Sequence, residues 1–262
     1  ILARDGGVDV HVGTQGPNGI QDGVAHVLDL DRDEVQIHVE MLGGGFGRRS
    51  FTDMAVECAE VYKRLDEPVK LVWSREDDHG HDFYRPASAH RFRGAVDDEG
   101  RILAWDHVLA LPSLLPYMGK GMTGMLAPQP LRGVANAVGD RLMDLVPRLA
   151  GPILGVEGAN HVPYAAENVR VATVVHDPGV RVGIWRSVGH SNTGFVVESF
   201  VDELAHAANE DPLAFRRRLL ADHPRHLACL DLVEEHAGWG RTSPGRFQGV
   251  AVHASFESVV AH

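Results

Sequence analysis

The sequence predicts an α+β fold, mixed sheets with packed helices. Segments of strand length alternate polar and apolar residues at 8–12, 34–42, 92–96, 102–109 and 169–175. Apolar residues recur at helical spacing after Phe51 and after Thr193. Asp211-Pro212 and His223-Pro224 each place a proline where a helix tolerates it, at the first helical position.

The elements follow in order. The strand at 8–12 ends in Gly13-Thr14-Gln15-Gly16-Pro17, and Ile20, Val24 and Val27 then begin a helix. Residues 34–42 run into Gly43-Gly44-Gly45-Phe46-Gly47-Arg48-Arg49, after which Phe51, Met54, Ala55, Cys58, Ala59, Tyr62 and Leu65 mark a second helix. The run VKLVW at 69–73 reads as the next strand, so that 34–73 forms a βαβ unit. Asp78-His79-Gly80-His81-Asp82 imitates a metal site, but its glycine and flanking charge read as a solvated loop. Asp97-Asp98-Glu99-Gly100 is a hairpin turn between 92–96 and 102–109.

From 112 to 158 the composition turns to Gly, Pro, Met and Leu, an irregular or loosely helical connector that could form part of a channel. After the strand at 169–175, the run GIWRSVGHSN leads into a helix over 193–208 with Ser191 or Asn192 as its N-cap. The two proline-led helices reach Leu220 and the neighbourhood of Gly238, and 252–256 opens a strand. This divides the chain into 1–111, 112–158 and 159–262. No internal repeat appears, which argues against a solenoid.

Composition excludes several functions. A chain of 262 residues with 44% apolar content can bury a substantial core. Its formal net charge of −11 argues against nucleic acid, because phosphate binding needs a broad basic surface. No apolar run approaches the ~20 residues of a membrane span. A signal peptide is absent, but the chain does not begin with Met, so periplasm and cytoplasm both stay open. Cys58 and Cys229 sit in apolar helical patterns, read as buried thiols without the spacing of a zinc or iron–sulfur site.

The glycine run carries the chemistry. A strand, glycines and a helix N-terminus bring backbone N–H groups close to an anion. As a dinucleotide fingerprint the run is deficient: Gly43 and Gly45 fit, but Arg48 holds the third position, and Glu67, beside Pro68, is poorly placed for a ribose. No Gly-Lys-Ser/Thr follows, so a Walker loop fails. A glycine turn without ligand is the plain alternative. Gln15 alone is equally a turn residue, and the Trp185-Arg186 segment equally a helix cap.

In combination and order, however, GTQ, GGGFGRR and GIWRSVGHSN resemble the molybdenum-binding subunit of the xanthine dehydrogenase and aldehyde oxidase family, in the branch of the isoquinoline 1-oxidoreductase β-subunit type. WSREDDHGHDFYRPASAHRF, VESFVDELAHAANEDPLAFRRRLL and GRFQGVAVHASF extend the resemblance over nearly the whole chain.

The resemblance implies a molybdenum-pterin cofactor, with a cytosine dinucleotide form as one option, contacted by Gln15, Gly44, Gly45, Phe46, Gly47, Arg48, Arg186 and Ser187. Gln15, Phe46 and Arg186 would stand around the metal without ligating it, Gln15 hydrogen-bonding an oxygen-type ligand. The pterin holds the metal itself, so no protein ligand cluster is required.

Purine-oxidising members carry a glutamate where Ser50 stands and a phenylalanine where Val188 stands, which points away from xanthine toward an N-heteroaromatic compound or an aldehyde. The family's glutamate base lies in a Gly-Glu tract, and no Gly-Glu occurs here, so the base is expected beyond His262 and no catalytic residue within the chain. The reading is thus of a middle piece, or one product of a split subunit. Its implied partners are the remainder of the molybdenum subunit, an iron–sulfur subunit with [2Fe-2S] clusters, a cytochrome as one candidate acceptor, and a small-molecule substrate. Two other functions stay open on the residues alone: a nucleotide-dependent oxidoreductase using the glycine loop, and a noncatalytic scaffold piece.

Overall fold

A computed structural model describes residues 1–119, 131–150, 154–177 and 179–262. It confirms the α+β class, and the chain forms two compact units that are discontinuous in sequence. One comprises Ile1–Pro86, Leu114–Ala150 and Pro178–Arg186; the other Ala87–Ser113, Gly151–Asp177 and Ser187–His262.

In the first unit, β1 (Leu2–Arg4), β2 (Gly7–Val12) and β3 (Val35–Val39) form a sheet in that order, β1 antiparallel and β3 parallel to β2. Helices α1 (Pro17–Leu28) and α2 (Asp53–Leu65) pack on it through Ile20, Val24, Ala25, Ala55 and Ala59, against Val8, Val10 and Val35. The βαβ unit is therefore β2-α1-β3, and not the one expected over 34–73. At 69–73 the chain forms no regular element and joins no ladder; only Val69 pairs, exchanging backbone hydrogen bonds with Ile1. A strand is defined by its partner, and periodicity cannot supply one.

The stretch expected as a solvated loop at 78–82 lies mostly in α3 (Arg75–His81). Its start is a capping box: Ser74 Oγ accepts from the Asp77 amide at 3.1 Å while Asp77 accepts from the Ser74 amide at 3.0 Å. Among the described residues no group of three His, Cys, Asp or Glu side chains could hold a metal ion. Residues 120–130 and 151–153 of the connector lie outside the described residues; the rest includes α4 (Leu115–Gly119) and α5 (Arg132–Ala150).

In the second unit, the expected hairpin is β4 (Ala89–Val96) with β5 (Ile102–Leu111), and β6 (Val169–Val175) adds parallel to β5. Helix α6 (His190–Ala207) covers one face, where Phe200 stacks on Phe92 at 4.6 Å and meets Trp105 edge-on at 4.9 Å. Its N-cap is Gly189, two to three residues before the position expected from Ser191 and Asn192. Helix α7 (Pro212–Leu219) is capped as expected, Asp211 accepting from the Leu213 and Ala214 amides. Helix α8 (Pro224–Ala237) ends on left-handed Gly238. The strand expected at 252–256 is β7 (Val252–Ser255), paired antiparallel with β8 (Ser258–Ala261). Cys58 and Cys229 are free and half-buried.

A buried ion pair ties these helices to β7. Arg216 is 0% exposed and donates through Nε to Glu198 at 3.0 Å and through Nη1 to Asp202 at 2.6 Å. The Glu198 carboxylate also accepts from the Tyr164 hydroxyl at 2.7 Å and the Val252 amide at 2.9 Å. Burial pushes its carboxyl above the ordinary range while Arg216 opposes that rise.

On the sheet, His107 is 0% exposed, stacks on Phe92, and shares a 2.9 Å hydrogen bond with His90, which in turn meets Ser88 at 2.8 Å. Desolvation, then the neighbouring His90, lowers the pKa of His107 from 6.5 to about 4.

Both buried groups can be tested by substitution. Arg216→Ala strands a buried carboxylate and lowers the unfolding free energy by about 3–5 kcal/mol, whereas the paired change Arg216→Met with Glu198→Leu recovers most of it; urea unfolding distinguishes them. For His107 the folded state prefers the neutral ring. Its contribution is therefore complete above pH 6.5 and is lost as pH falls toward 4, by up to about 3 kcal/mol. His107→Leu should flatten that part of the stability–pH curve.

Candidate functional site

Three separated segments of the first unit meet at the glycine loop. The Gln15 amide donates to the Arg49 carbonyl at 2.9 Å, and the Thr14 hydroxyl reaches the same carbonyl at 3.0 Å. Thr14 Oγ1 also accepts from the Gly16 amide at 3.0 Å, so this buried threonine holds the GTQ turn against the loop. The third segment arrives when the Arg186 amide donates to the Phe46 carbonyl at 2.8 Å. Arg186 is itself seated by the 181–185 strip: Tyr84 and Val182 form a parallel bridge, the Gly183 amide donates to the Tyr84 carbonyl, and Trp185 Nε1 donates to the Phe83 carbonyl. Arg85 closes the arrangement by donating to the Arg186 carbonyl at 3.1 Å.

Inside the loop, Gln15 Oε1 accepts from the Gly47 amide at 3.0 Å. An N–H donor facing the carboxamide requires an oxygen there, which fixes the amide orientation and turns Nε2 outward as a donor. Gln15 is exposed, and among the described residues nothing accepts from Nε2. Position 45 has to be glycine for this to occur. A Cβ there would land on the Gln15 carboxamide and lie 2.7 Å from its Cγ. Gly47 is required for a different reason: its φ is +86°, and a Cβ would stand 2.8 Å from the Ile184 carbonyl oxygen.

Phe46 has a positive φ of +52° and is 55% exposed. A left-handed aromatic residue is uncommon and held against its own preference. Here the neighbouring hydrogen bonds, from Gly47 to Gln15 and from Arg186 to Phe46, hold it. Among the described residues no acceptor is recorded for the amides of Gly44, Gly45 and Phe46; Gly44 and Phe46 are exposed and Gly45 is half-buried.

Arg48 is differently occupied. Its side chain is only 12% exposed, forms a bidentate pair with Asp53 at 2.9 and 2.8 Å, and bonds Asp82 through Nε. Phe83 lies 5.0 Å from the guanidinium carbon. Burial opposes its charge, but the two carboxylates prevail and raise its pKa above the ordinary value. Arg48 thus pins the loop to α2 and to the end of α3.

Ser187 falls in the second unit, where it and Val188 both have positive φ, +72° and +42°. Two consecutive left-handed residues, one β-branched, form a strained turn. The turn leads into Gly189, whose amide donates to Glu157 at 3.1 Å, and the same carboxylate accepts from the Gly155 amide at 2.9 Å. Glu157 carried no signal in the sequence, lying some 30 residues away in a glycine-rich connector. Thr14 was legible as part of GTQ, yet its hydroxyl bonds were not.

Residues 1–112 match the family model described as the molybdopterin cofactor-binding domain. The chain is 31% identical over 96% of its length to the beta subunit of isoquinoline 1-oxidoreductase from Brevundimonas diminuta, and 27% identical over 89% to a nicotinate dehydrogenase chain from Pseudomonas putida. It belongs to the xanthine dehydrogenase and aldehyde oxidase family. Family members are molybdopterin-dependent oxidoreductases. This chain spans 29% and 18% of those two relatives. Its fold is shared with quinoline 2-oxidoreductase from Pseudomonas putida 86, at a TM-score of 0.67 and 19% identity over 94% of this chain and 32% of that one. The aldehyde oxidoreductase from Desulfovibrio desulfuricans gives 0.63 and 17% over 96% of this chain and 27% of that one. The Rossmann alternative falls with this result.

The two glycines should respond differently to alanine. At Gly45 the obstacle is the flexible end of Gln15, so Gly45→Ala costs about the 0.5–1.5 kcal/mol of one lost hydrogen bond. Gly47→Ala adds an unfavourable φ and a backbone clash and should cost more; equal losses in chemical denaturation would contradict the geometry.

Proposed function

We propose that this chain provides the cofactor-facing part of a molybdenum hydroxylase acting on an N-heteroaromatic compound or an aldehyde, with water as the oxygen source. One observation carries the reading: Gln15 is anchored through its oxygen by the Gly47 amide, so its Nε2 is presented as a donor beside the glycine loop.

The residues suit the group. Gly45 lets the Gln15 carboxamide lie against the loop where a Cβ would displace it, the amides of Gly44 to Phe46 have no recorded acceptor among the described residues, and Arg186, whose amide bonds the Phe46 carbonyl, contributes a cation at the turn. When bound, the molybdenum-pterin cofactor supplies a Lewis acid and a two-electron redox centre. In our reading the protein's part is positional. Gln15 orients the cofactor by donation, Phe46 shields one side of it with its exposed ring, and Arg186 and Ser187 make further contacts. Arg48 acts in this scheme by holding the loop's conformation.

The rest of the reaction falls to parts outside these 262 residues. A glutamate base would be supplied by the longer subunit, and [2Fe-2S] clusters on a partner subunit would supply the one-electron redox chemistry, with a cytochrome as one candidate acceptor. Isoquinoline 1-oxidoreductase and nicotinate dehydrogenase are named for N-heteroaromatic compounds, and Ser50 and Val188 agree with such a substrate rather than a purine. The cytosine dinucleotide form of the pterin belongs to the same proposal.

Gln15→Ala in the assembled enzyme tests it. Loss of an outer-shell partner typically costs about 10–100-fold, so turnover should fall by that order while molybdenum content changes less. Unchanged turnover with full molybdenum would reduce Gln15 to a turn residue.

A further inference from the structure

The segment at 69–73 has the burial alternation of a strand. Val69, Leu71 and Trp73 are half-buried and alternate with exposed Lys70 and Val72, the latter 73% exposed. The inner side is fastened to α2: Cys58 Sγ lies 3.9 Å from the Val69 carbonyl oxygen, and Trp73 Nε1 donates to Glu57 at 2.8 Å. Among the described residues no backbone hydrogen bond is recorded for Lys70, Leu71, Val72 or Trp73. Two clefts of about 530 and 660 Å³ have Leu71, Val72 and Trp73 in their walls.

One rung of a ladder exists. The Val69 amide donates to the Ile1 carbonyl at 3.0 Å, and the Ile1 nitrogen donates to the Val69 carbonyl at 2.7 Å. Two residues that exchange both bonds are a hydrogen-bonded pair of an antiparallel ladder. In one direction that ladder goes no further: among the described residues no backbone hydrogen bond joins 66–68 to β1, and the Asp66 amide closes α2 on the Tyr62 carbonyl. In the other it is open, and its next hydrogen-bonded positions are Leu71 and Trp73.

We propose that 69–73 is an outer strand of the first unit's sheet, paired in the complete molybdenum subunit with an antiparallel extended segment collinear with β1, on the Ile1 side. The inference rests on the functional reading above for what the complete polypeptide is. The occupant is a strand of the same subunit and not a second copy of the chain. The one rung already formed sets the direction and register of the ladder in line with β1, and the curated relatives are more than three times the length of this chain. A strand here would cover backbone groups that otherwise form an exposed edge.

Register gives a distinctive test. In the purified full-length subunit, hydrogen–deuterium exchange at single-amide resolution should show Leu71 and Trp73 slowed by about 10-fold or more relative to Lys70 and Val72, since only the former two amides point at the new strand. Uniformly fast exchange across 70–73, or slowing of Lys70 and Val72 instead, overturns the proposal. So does slowing in the 262-residue chain alone that grows with its concentration, which would make a second copy the occupant. Molybdenum and pterin content measured on the same full-length sample keeps the two readings apart. Loaded enzyme with a fast-exchanging 69–73 defeats only the strand proposal. Slow Leu71 and Trp73 in a subunit that holds no pterin defeats only the functional one.

Discussion

The Gln15 carboxamide can lie against the Gly47 amide only because position 45 carries no side chain, and the rest of the loop is built around that contact. A single hydrogen bond of this kind contributes about 0.5–1.5 kcal/mol, too little to organise a loop unaided. Its importance is geometric. It joins a turn after β2 to a loop after β3, two ends of parallel strands that are neighbours in the sheet. Parallel pairing puts both loops at the same end of the sheet, and the crossover helix α1 makes that pairing possible. The 181–186 strip then docks on Phe46 from a distant part of the sequence.

Charge is used in two ways within the chain. Arg216 is buried and Arg48 nearly so, both are bonded to two carboxylates, and each reaches a carboxylate on another element, Asp82 and Glu198 respectively. Such pairs add little net stability compared with apolar packing, but they penalise every arrangement that leaves a charge unpaired. Arg186, by contrast, is exposed, and its amide and carbonyl bond Phe46 and Arg85. The net charge of −11 agrees with this division, since the cations that matter are placed singly and not spread over a basic face.

Two of the three motifs carry strained backbone. Phe46, Ser187 and Val188 take positive φ without being glycine, each at a cost of order 1–3 kcal/mol. Phe46 is held by hydrogen bonds on both sides, and the Ser187-Val188 turn is followed by the Gly189 amide bonded to Glu157. The stable cores around Trp105 and Phe200, and around Ile20 and Val24, offset that cost.

Much was legible in the sequence because it is local. The hairpin around Asp97 to Gly100, the Asp211-Pro212 cap, the Gly238 stop and the α2 stripe each depend on residues within a few positions of one another. The α+β class and the family resemblance of three ordered motifs come from the same local information. Local patterns were also incomplete: 69–73 alternates as a strand does, yet among the described residues only Val69 has a backbone partner, and the Asp78 to Asp82 run hides a helix whose cap lies upstream at Ser74. Tertiary structure alone decided what each motif residue bonds. Arg48 and Arg49 are adjacent in sequence, yet one guanidinium is buried between Asp53 and Asp82 while the Arg49 carbonyl serves Thr14 and Gln15. The physical reason is that a hydrogen-bond partner tens of residues away leaves no mark on the spacing around a residue; only the folded chain brings the two within 3 Å.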